Sequence, residues 1–374
     1  MGLDDRQNIV VVGGGAAGGG VVRGLVGKVD HSKYRVVLIN PRPFYTYIIA
    51  GARMVVSPYG NLETNAFIPY DRALPADKGE LIVGTVTSIR RAAETGGHVV
   101  LSDGREIAFA FLVLAPGSIW SGPLAIPDTK DDIDAWITTW RAKIENAKDI
   151  VIVGGGAVGV EIAGEIRHFF PDKSVTMVQK DAHLLNATYP DKWRLRVDKM
   201  LRDGGVKLVT DDVIDASELS SDTGTVTTRK GAVIHADLII PCVGTRPNTD
   251  FVCTLGEGVL DSRGFIPTKP TLQLPHFPEI FAAGDVLAWD EQKQMAKANG
   301  QAGIVASNIV SMTKGASPGA VYKGSWELIV ITFGPNGGTG YFGILWGIIV
   351  GDWFSRFVKS KDLVIGSVRK TWGY

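Results

Sequence analysis

The chain has 374 residues, 45% of them hydrophobic and 21% charged, which is enough to bury two sizeable cores and unlike the composition of a disordered protein. Lys+Arg and Asp+Glu both number 39, giving a formal net charge of zero, and no basic run tracks a phosphate backbone, so nucleic acid is not an expected partner. Cys242 and Cys253 are too far apart for a CxxC redox pair, and the six histidines form no metal-ligand spacing, so neither a disulfide-exchange centre nor a metal site is expected.

Residues 1–8 carry Asp4 and Asp5 and read as neither a secretory nor a transit signal, and Arg6 stands where acylation of Gly2 would want Ser or Thr. The expected location is therefore cytoplasmic. An apolar β-branched run over 9–12 then ends in Gly13-Gly14-Gly15-Ala16-Ala17-Gly18. In such a turn Gly13 permits the tight strand-to-helix reversal, Gly15 lets backbone approach a pyrophosphate, and Gly18 lets the helix pack close to the strand. A helix over 16–27 and a strand over 34–40 ending at Asn40 complete a βαβ unit. An aromatic turn over 41–47 contains Arg42, and Arg53 follows in a helix-like stretch with small neighbours.

Alternation over 81–89 suggests a strand containing Val86, residues 99–105 read as a hairpin around Asp103-Gly104, and the strand 111–114 closes at Ala115-Pro116-Gly117. A crossover rich in Gly, Pro and Asp marks a boundary near 122–132. Ile133, Ile137, Trp140 and Ile144 recur at helical spacing, which predicts an amphipathic helix over 134–147. The strand–turn–helix device then repeats with Gly154, Gly156 and Gly159, followed by Glu161, and its second strand (175–178) ends at Gln179 and Lys180. A helix over 191–204, strands over 206–209 and 226–240, Gly244-Thr245-Arg246-Pro247-Asn248, an apolar strand ending in Gly284-Asp285, and a small-residue helix over 294–303 follow. Residues 341–350 are strongly apolar but too short to span a bilayer, and Lys359-Ser360-Lys361-Asp362-Leu363 lies beyond them.

This order of motifs resembles the two-dinucleotide-binding-domain flavoproteins over nearly the whole chain. The tail is similar to that of the apoptosis-inducing-factor-like group that includes ferroptosis suppressor protein, a relative of type II NADH:quinone dehydrogenases. The resemblance implies an α/β fold of two Rossmann-like domains, with an NAD(P)H domain (123–245) inserted in an FAD domain (1–122 and 246–320). A small C-terminal α+β domain (321–374), facing quinone or membrane, completes it. It implies FAD at Gly13, Gly15, Gly18, Asn40, Arg42, Arg53, Val86, Ala115, Gly117, Gly284 and Asp285, with Met295 and Ala296 under the isoalloxazine. NADH or NADPH is implied at Gly154, Gly156, Gly159, Glu161, Gln179, Lys180 and Gly244. Asn40 departs from the acid that usually meets the FAD ribose, Pro116 departs from the usual Thr, and Gln179 beside Lys180 does not repel a 2′-phosphate, so NADPH is permitted.

Lys359 and Glu161 are the implied catalytic residues, with Lys359 near the flavin and the apolar stretch 341–350 lining a quinone path. The implied function is an NAD(P)H:quinone oxidoreductase that passes hydride from nicotinamide C4 to flavin N5 and then two electrons to a quinone. A reductase of a protein acceptor and a slow-turnover signalling flavoprotein are the alternatives, and peripheral membrane association and a homodimer are both compatible with it.

Overall fold

The computed structural model describes residues 5–92, 95–220 and 224–374; Gly2, weighed above as an acylation site, lies outside them. In chain order, β1 (Gln7–Val12), α1 (Ala16–Val26) and β2 (Tyr34–Asn40) form a βαβ unit, followed by β3 (Phe44–Thr46) and the single turn α2 (Gly51–Met54). Next come β4 (Gly79–Val83), a meander of β5 (Val86–Arg91), β6 (Gly97–Leu101) and β7 (Glu106–Phe109), and β8 (Phe111–Leu114). Helix α3 (Lys130–Asn146) leads to β9 (Asp149–Val153), α4 (Ala157–Phe169), β10 (Ser174–Val178), α5 (Asp191–Asp203), β11 (Val206–Val209) and β12 (Leu238–Pro241). The chain then returns through β13 (Gln273–Leu274), β14 (Phe277–Ala282) and α6 (Met295–Thr313). It ends with β15 (Leu328–Phe333), β16 (Gly337–Phe342), β17 (Ile348–Val350), α7 (Asp352–Ser355), a π turn at Arg356–Ser360, and α8 (Ile365–Thr371).

The architecture is mixed α/β with two Rossmann-like parallel sheets. The first sheet has the order β13-β14-β8-β1-β2-β4 and the second β11-β10-β9-β12, while β15-β16-β17 form a third, antiparallel sheet. Strand β1 is central and pairs in parallel with β2 and β8, so Ile9 to Val12 are buried on both faces. That position explains a continuous apolar run rather than an alternating one. Helix α1 is rich in glycine because α6 crosses it closely: a Cβ on Gly20 or Gly24 would stand 2.8 or 2.7 Å from the Cβ of Ala302 or Ala306.

Four elements differ from the sequence expectation, the first being the stretch 226–240, which is a hairpin of Thr225–Thr227 with Val233–His235 followed by β12. Helix α3 begins four residues early, at Lys130, because Thr129 caps it by accepting from Asp132 N at 3.2 Å, with Asp131 and Asp132 favourable in the first turn. Its stripe Ile133, Ile137, Trp140 and Ile144 is buried as expected. The single strand expected over 81–89 divides at Gly84-Thr85, where β4 joins the first sheet and β5 the meander. The apolar run 341–350 is likewise broken, at the Gly343–Gly347 turn between β16 and β17. Among the described residues no helix is long and apolar enough to cross a membrane.

Candidate functional site

The two glycine turns are built alike at the first, third and sixth positions of the motif. Gly13 has φ +95° and Gly154 φ +108°, and a Cβ on either would lie 2.2 or 2.3 Å from the carbonyl oxygen of Ala115 or Cys242. Gly18 and Gly159 leave no room for a Cβ against the carbonyls of Gly13 and Gly154, at 1.8 and 2.2 Å. By contrast, a Cβ on Gly15 or Gly156 would meet nothing within 4 Å. Each turn is therefore compact toward the protein and open at the helix N-terminus, where unpaired amides and the helix dipole favour an anion.

The strand-end amides brace these turns. Asn40 Oδ1 accepts from Gly14 N at 2.9 Å, and Gln179 Oε1 accepts from Gly155 N at 2.9 Å. Gln179 Nε2 also donates to Asp181 at 3.0 Å, while Lys180 is exposed. Tyr70, which sequence reasoning missed, donates from its hydroxyl to Gly14 O at 2.9 Å. Its burial holds the phenol well above the ordinary range, so it stays a donor.

Other motif residues converge around the first turn. Ala115 N donates to Val12 O, and Asn248 N to Gly117 O, at 2.9 Å each. Ser118 pairs with Pro247 and donates from Oγ to Asp285 Oδ2 at 2.8 Å, so the junction after β8, the return strand and the late aspartate meet at one place. Gln301 of α6 accepts from Gly284 N at 2.8 Å and fixes that corner. Met295 and Ala296 begin α6, and Met295 lines a cavity with Ala16, Arg23, Tyr45, Asn299 and Trp372. Among the described residues Arg23 Nη1 and Thr46 Oγ1 are buried without a hydrogen-bond partner, polar atoms of the kind a dinucleotide's oxygens would satisfy. The duplicated open turns and these orphaned atoms fit an FAD and a second dinucleotide.

Other expected residues have partners or settings of their own. Arg42 pairs with Asp128 at 3.1 Å and donates to Pro127 O at 2.9 Å, tying it to the crossover. Val86 is buried where β5 begins, paired with Leu101. Gly244 has φ +98° on an exposed turn. Leu345 and Trp346, within the stretch expected to line a quinone path, are exposed; Tyr341 of that stretch instead packs on Trp193, ring centroids 5.9 Å apart.

Two of the three remaining expected residues meet each other. Lys359 Nζ donates to Glu161 Oε1 at 2.6 Å and to Val330 O at 2.8 Å, and Glu161 Oε1 also accepts from Thr332 N at 3.1 Å. Helix α4, opened by the second glycine turn, is thereby joined to β15 and to the Lys-Ser-Lys-Asp-Leu segment. One helical turn further along, Arg53 forms a fork on Glu165, with Nε at 3.0 Å from both carboxylate oxygens and Nη2 at 2.8 Å from Oε1; both side chains are 1% exposed. Burial pushes the Glu165 carboxyl up, against the downward pull of Arg53. Tyr47, also unforeseen, donates to Leu363 O at 2.8 Å and packs the tail onto this cluster. Cys242 lies behind the second turn, where burial pushes its thiol up to about 12 and keeps it protonated and unreactive.

Residues 7–303 match the family model described as pyridine nucleotide-disulphide oxidoreductase. The chain is 45% identical to FAD-dependent oxidoreductase FVFD30 of Flammulina velutipes, over 86% of this chain and 99% of that protein. It is 29% identical to apoptosis-inducing factor homolog B of Dictyostelium discoideum, over 91% of each. Its fold is similar to that of the sulfide:quinone oxidoreductase from Aquifex aeolicus, with a TM-score of 0.75 at 16% identity, over 98% of this chain and 90% of that one.

Proposed function

Because the chain belongs to the pyridine nucleotide-disulphide oxidoreductase family, with FAD and NAD(P)H as its cofactors, we propose that it is an NAD(P)H:quinone oxidoreductase working at a membrane surface. Residues 1–122 and 246–320 form its FAD unit, 123–245 its nicotinamide unit, and 321–374 the side that meets the acceptor. Bound FAD supplies two-electron transfer between a reduced nicotinamide and the acceptor.

The chain's own part is binding, orientation and electrostatics. The open amides at Gly15, with Arg23, offset the charge of the first dinucleotide, and Thr46 and the Ser118–Asp285 pair offer it hydrogen bonds. Gly156 and the Gln179–Lys180 corner do the same for the second. The observation that carries the proposal is the half-buried Lys359–Glu161 pair at 2.6 Å. Glu161 holds the Lys359 side chain in place, so that Nζ can donate to an acceptor oxygen as negative charge builds there. Hydride transfer between cofactors needs no further acid–base side chain.

The test is an anaerobic visible spectrum of the purified holoprotein. NADH or NADPH should bleach the flavin bands rapidly, and a soluble ubiquinone analogue should restore them as fast. Bleaching to a long-lived species that the quinone leaves untouched would overturn the acceptor assignment and favour a protein acceptor.

Gln179 sets a second expectation. Gln179→Glu keeps an acceptor for Gly155 N, but it places a carboxylate beside Asp181 where a 2′-phosphate would lie. The ratio of kcat/KM for NADPH to that for NADH should drop about tenfold or more. An unchanged ratio in a normally folded variant would refute the role given to this corner.

A further inference from the structure

We infer that Asp181 makes this chain selective for NADH over NADPH, its carboxylate accepting from the adenosine ribose hydroxyls and repelling a 2′-phosphate. This deepens, and rests on, the assignment of the nicotinamide dinucleotide to the second glycine turn. At the end of β10, the position from which an acid ordinarily meets that ribose holds Gln179, and its side chain is committed to the turn itself. Oε1 accepts from Gly155 N at 2.9 Å, and Nε2 donates to Asp181 Oδ2 at 3.0 Å. The amide therefore hands the acidic role to the residue two places on, which it holds at the same corner. The first turn provides the contrast. Asn40 braces Gly14 N at 2.9 Å in the same way, but its Nδ2 donates to the carbonyl of Arg42 at 2.8 Å, so the equivalent place there carries a cation.

The neighbouring backbone adds to that negative sign. Asp211 N donates to Asp181 O and Asp212 N to Gln179 O, at 3.2 Å each, so the segment after β11 brings two more acidic residues to the strand end. Asp212 is buried, and its Oδ1 accepts from Val213 N at 2.8 Å and from Lys230 N at 3.1 Å, which fixes that carboxylate. Asp181 is exposed, so it is open to a ligand on its other side. The opposing cations are Lys180 and Lys230, both exposed. Preorganisation decides between the two signs. An exposed ammonium on a four-carbon stem must give up side-chain freedom to meet a phosphate, and salt screens the pair. Asp181 is already held by Gln179, so its charge-assisted bonds to hydroxyls, and its repulsion of a phosphate, need little further ordering.

The experiment is isothermal titration of the FAD-loaded protein with ADP-ribose and with its 2′-phosphate, ligands that probe the adenosine corner and carry no hydride. Wild type should bind ADP-ribose at least roughly tenfold tighter than the 2′-phosphate. Asp181→Asn keeps an oxygen for Gln179 Nε2 while removing the charge, and it should narrow that gap about tenfold, mainly by tightening the 2′-phosphate. Lys180→Met should weaken both ligands alike. The inference is overturned if wild type binds the two equally or favours the 2′-phosphate, or if folded, FAD-loaded Asp181→Asn keeps the wild-type ratio. Selective loss of the 2′-phosphate in Lys180→Met would overturn it too, since a lysine would then be reading that group. Failure of either ligand to bind would remove the nicotinamide assignment of the second turn along with the inference. A clear preference for ADP-ribose in a protein that leaves quinone unreduced would sink the acceptor reading alone.

Discussion

Glu161→Ala should leave FAD bound while cutting NAD(P)H-driven turnover by about 10²-fold, the scale of losing one preorganised electrostatic partner. Two losses combine in this variant. The carboxylate in the first turns of α4, proposed to lie beside the nicotinamide, disappears, and Lys359 is left with Val330 O as its remaining hydrogen-bond partner among the described residues. Stranding that ammonium also costs stability, because a buried charge deprived of its partner retains its desolvation penalty. Glu161→Gln separates the two effects, since the amide oxygen can still accept from Thr332 N and Lys359 but carries no charge. Lys359→Met should lose quinone reduction more than flavin bleaching, whereas Glu161→Ala should lose both. Stopped-flow measurement of each half-reaction in a double-mutant cycle checks this. Wild-type NAD(P)H kinetics in a folded, FAD-containing Glu161→Ala protein would remove the second-site assignment.

Arg53→Met is expected to destabilise the fold by about 3–5 kcal/mol, the usual result of breaking a fully buried ion pair from one side. Arg53 is on α2 and Glu165 on α4, so the fork fastens the segment after β3 to the second glycine-turn helix. The consequence for pH has a definite sign. With Arg53 gone, the main downward pull is lost, and burial together with the nearby Glu161 carboxylate raises the folded-state pKa of Glu165 above the unfolded value against the weaker pull of Lys359. The folded variant then binds a proton more tightly than the unfolded chain does. Its stability is fullest below the unfolded pKa and declines as pH rises through the folded one. Urea unfolding of Arg53→Met should therefore show a smaller deficit relative to wild type at pH 5 than at pH 7.5. The double variant Arg53→Met/Glu165→Leu should recover most of the loss, because no uncompensated charge remains. A single variant of wild-type stability, or a deficit that grows on acidification, would refute this account.

Much of this was legible in the residues because it is local. A β-branched run, three glycines at fixed spacing and a small-residue helix specify a strand, a reversal and a close helix without reference to distant chain, and both copies in the structure have that form. The buried stripe of α3 was readable for the same reason, its period being that of the helix itself. The helix start was misplaced by one turn because a Thr cap competes with the apolar pattern as the boundary signal.

Side-chain partnerships across long sequence separations were not legible. Asn40 and Gln179 look like ribose ligands that have lost their charge, and only the folded loop reveals that each carbonyl first braces a glycine amide. Arg42 and Arg53 look interchangeable in sequence, one after a strand and one in a small-residue turn. The first meets the crossover at Asp128 and the second is sealed against Glu165. Tyr70, which closes on the first glycine turn, and Trp372, which packs on Gly19 of α1, gave no signal at all, since such an aromatic has the same pattern as one in any core.

The sequence by itself determined the two glycine turns, the parallel sheets built on them and the class of cofactor they suit, because backbone sterics and hydrophobic periodicity act over a few residues. Only the tertiary structure decided that Lys359 meets Glu161 across 198 residues, that Arg53 is buried, and that Trp346 faces outward. Those outcomes depend on which surfaces the packed sheets bring together and which they leave bare, and burial and charge pairing are properties of that assembly rather than of any short stretch of chain.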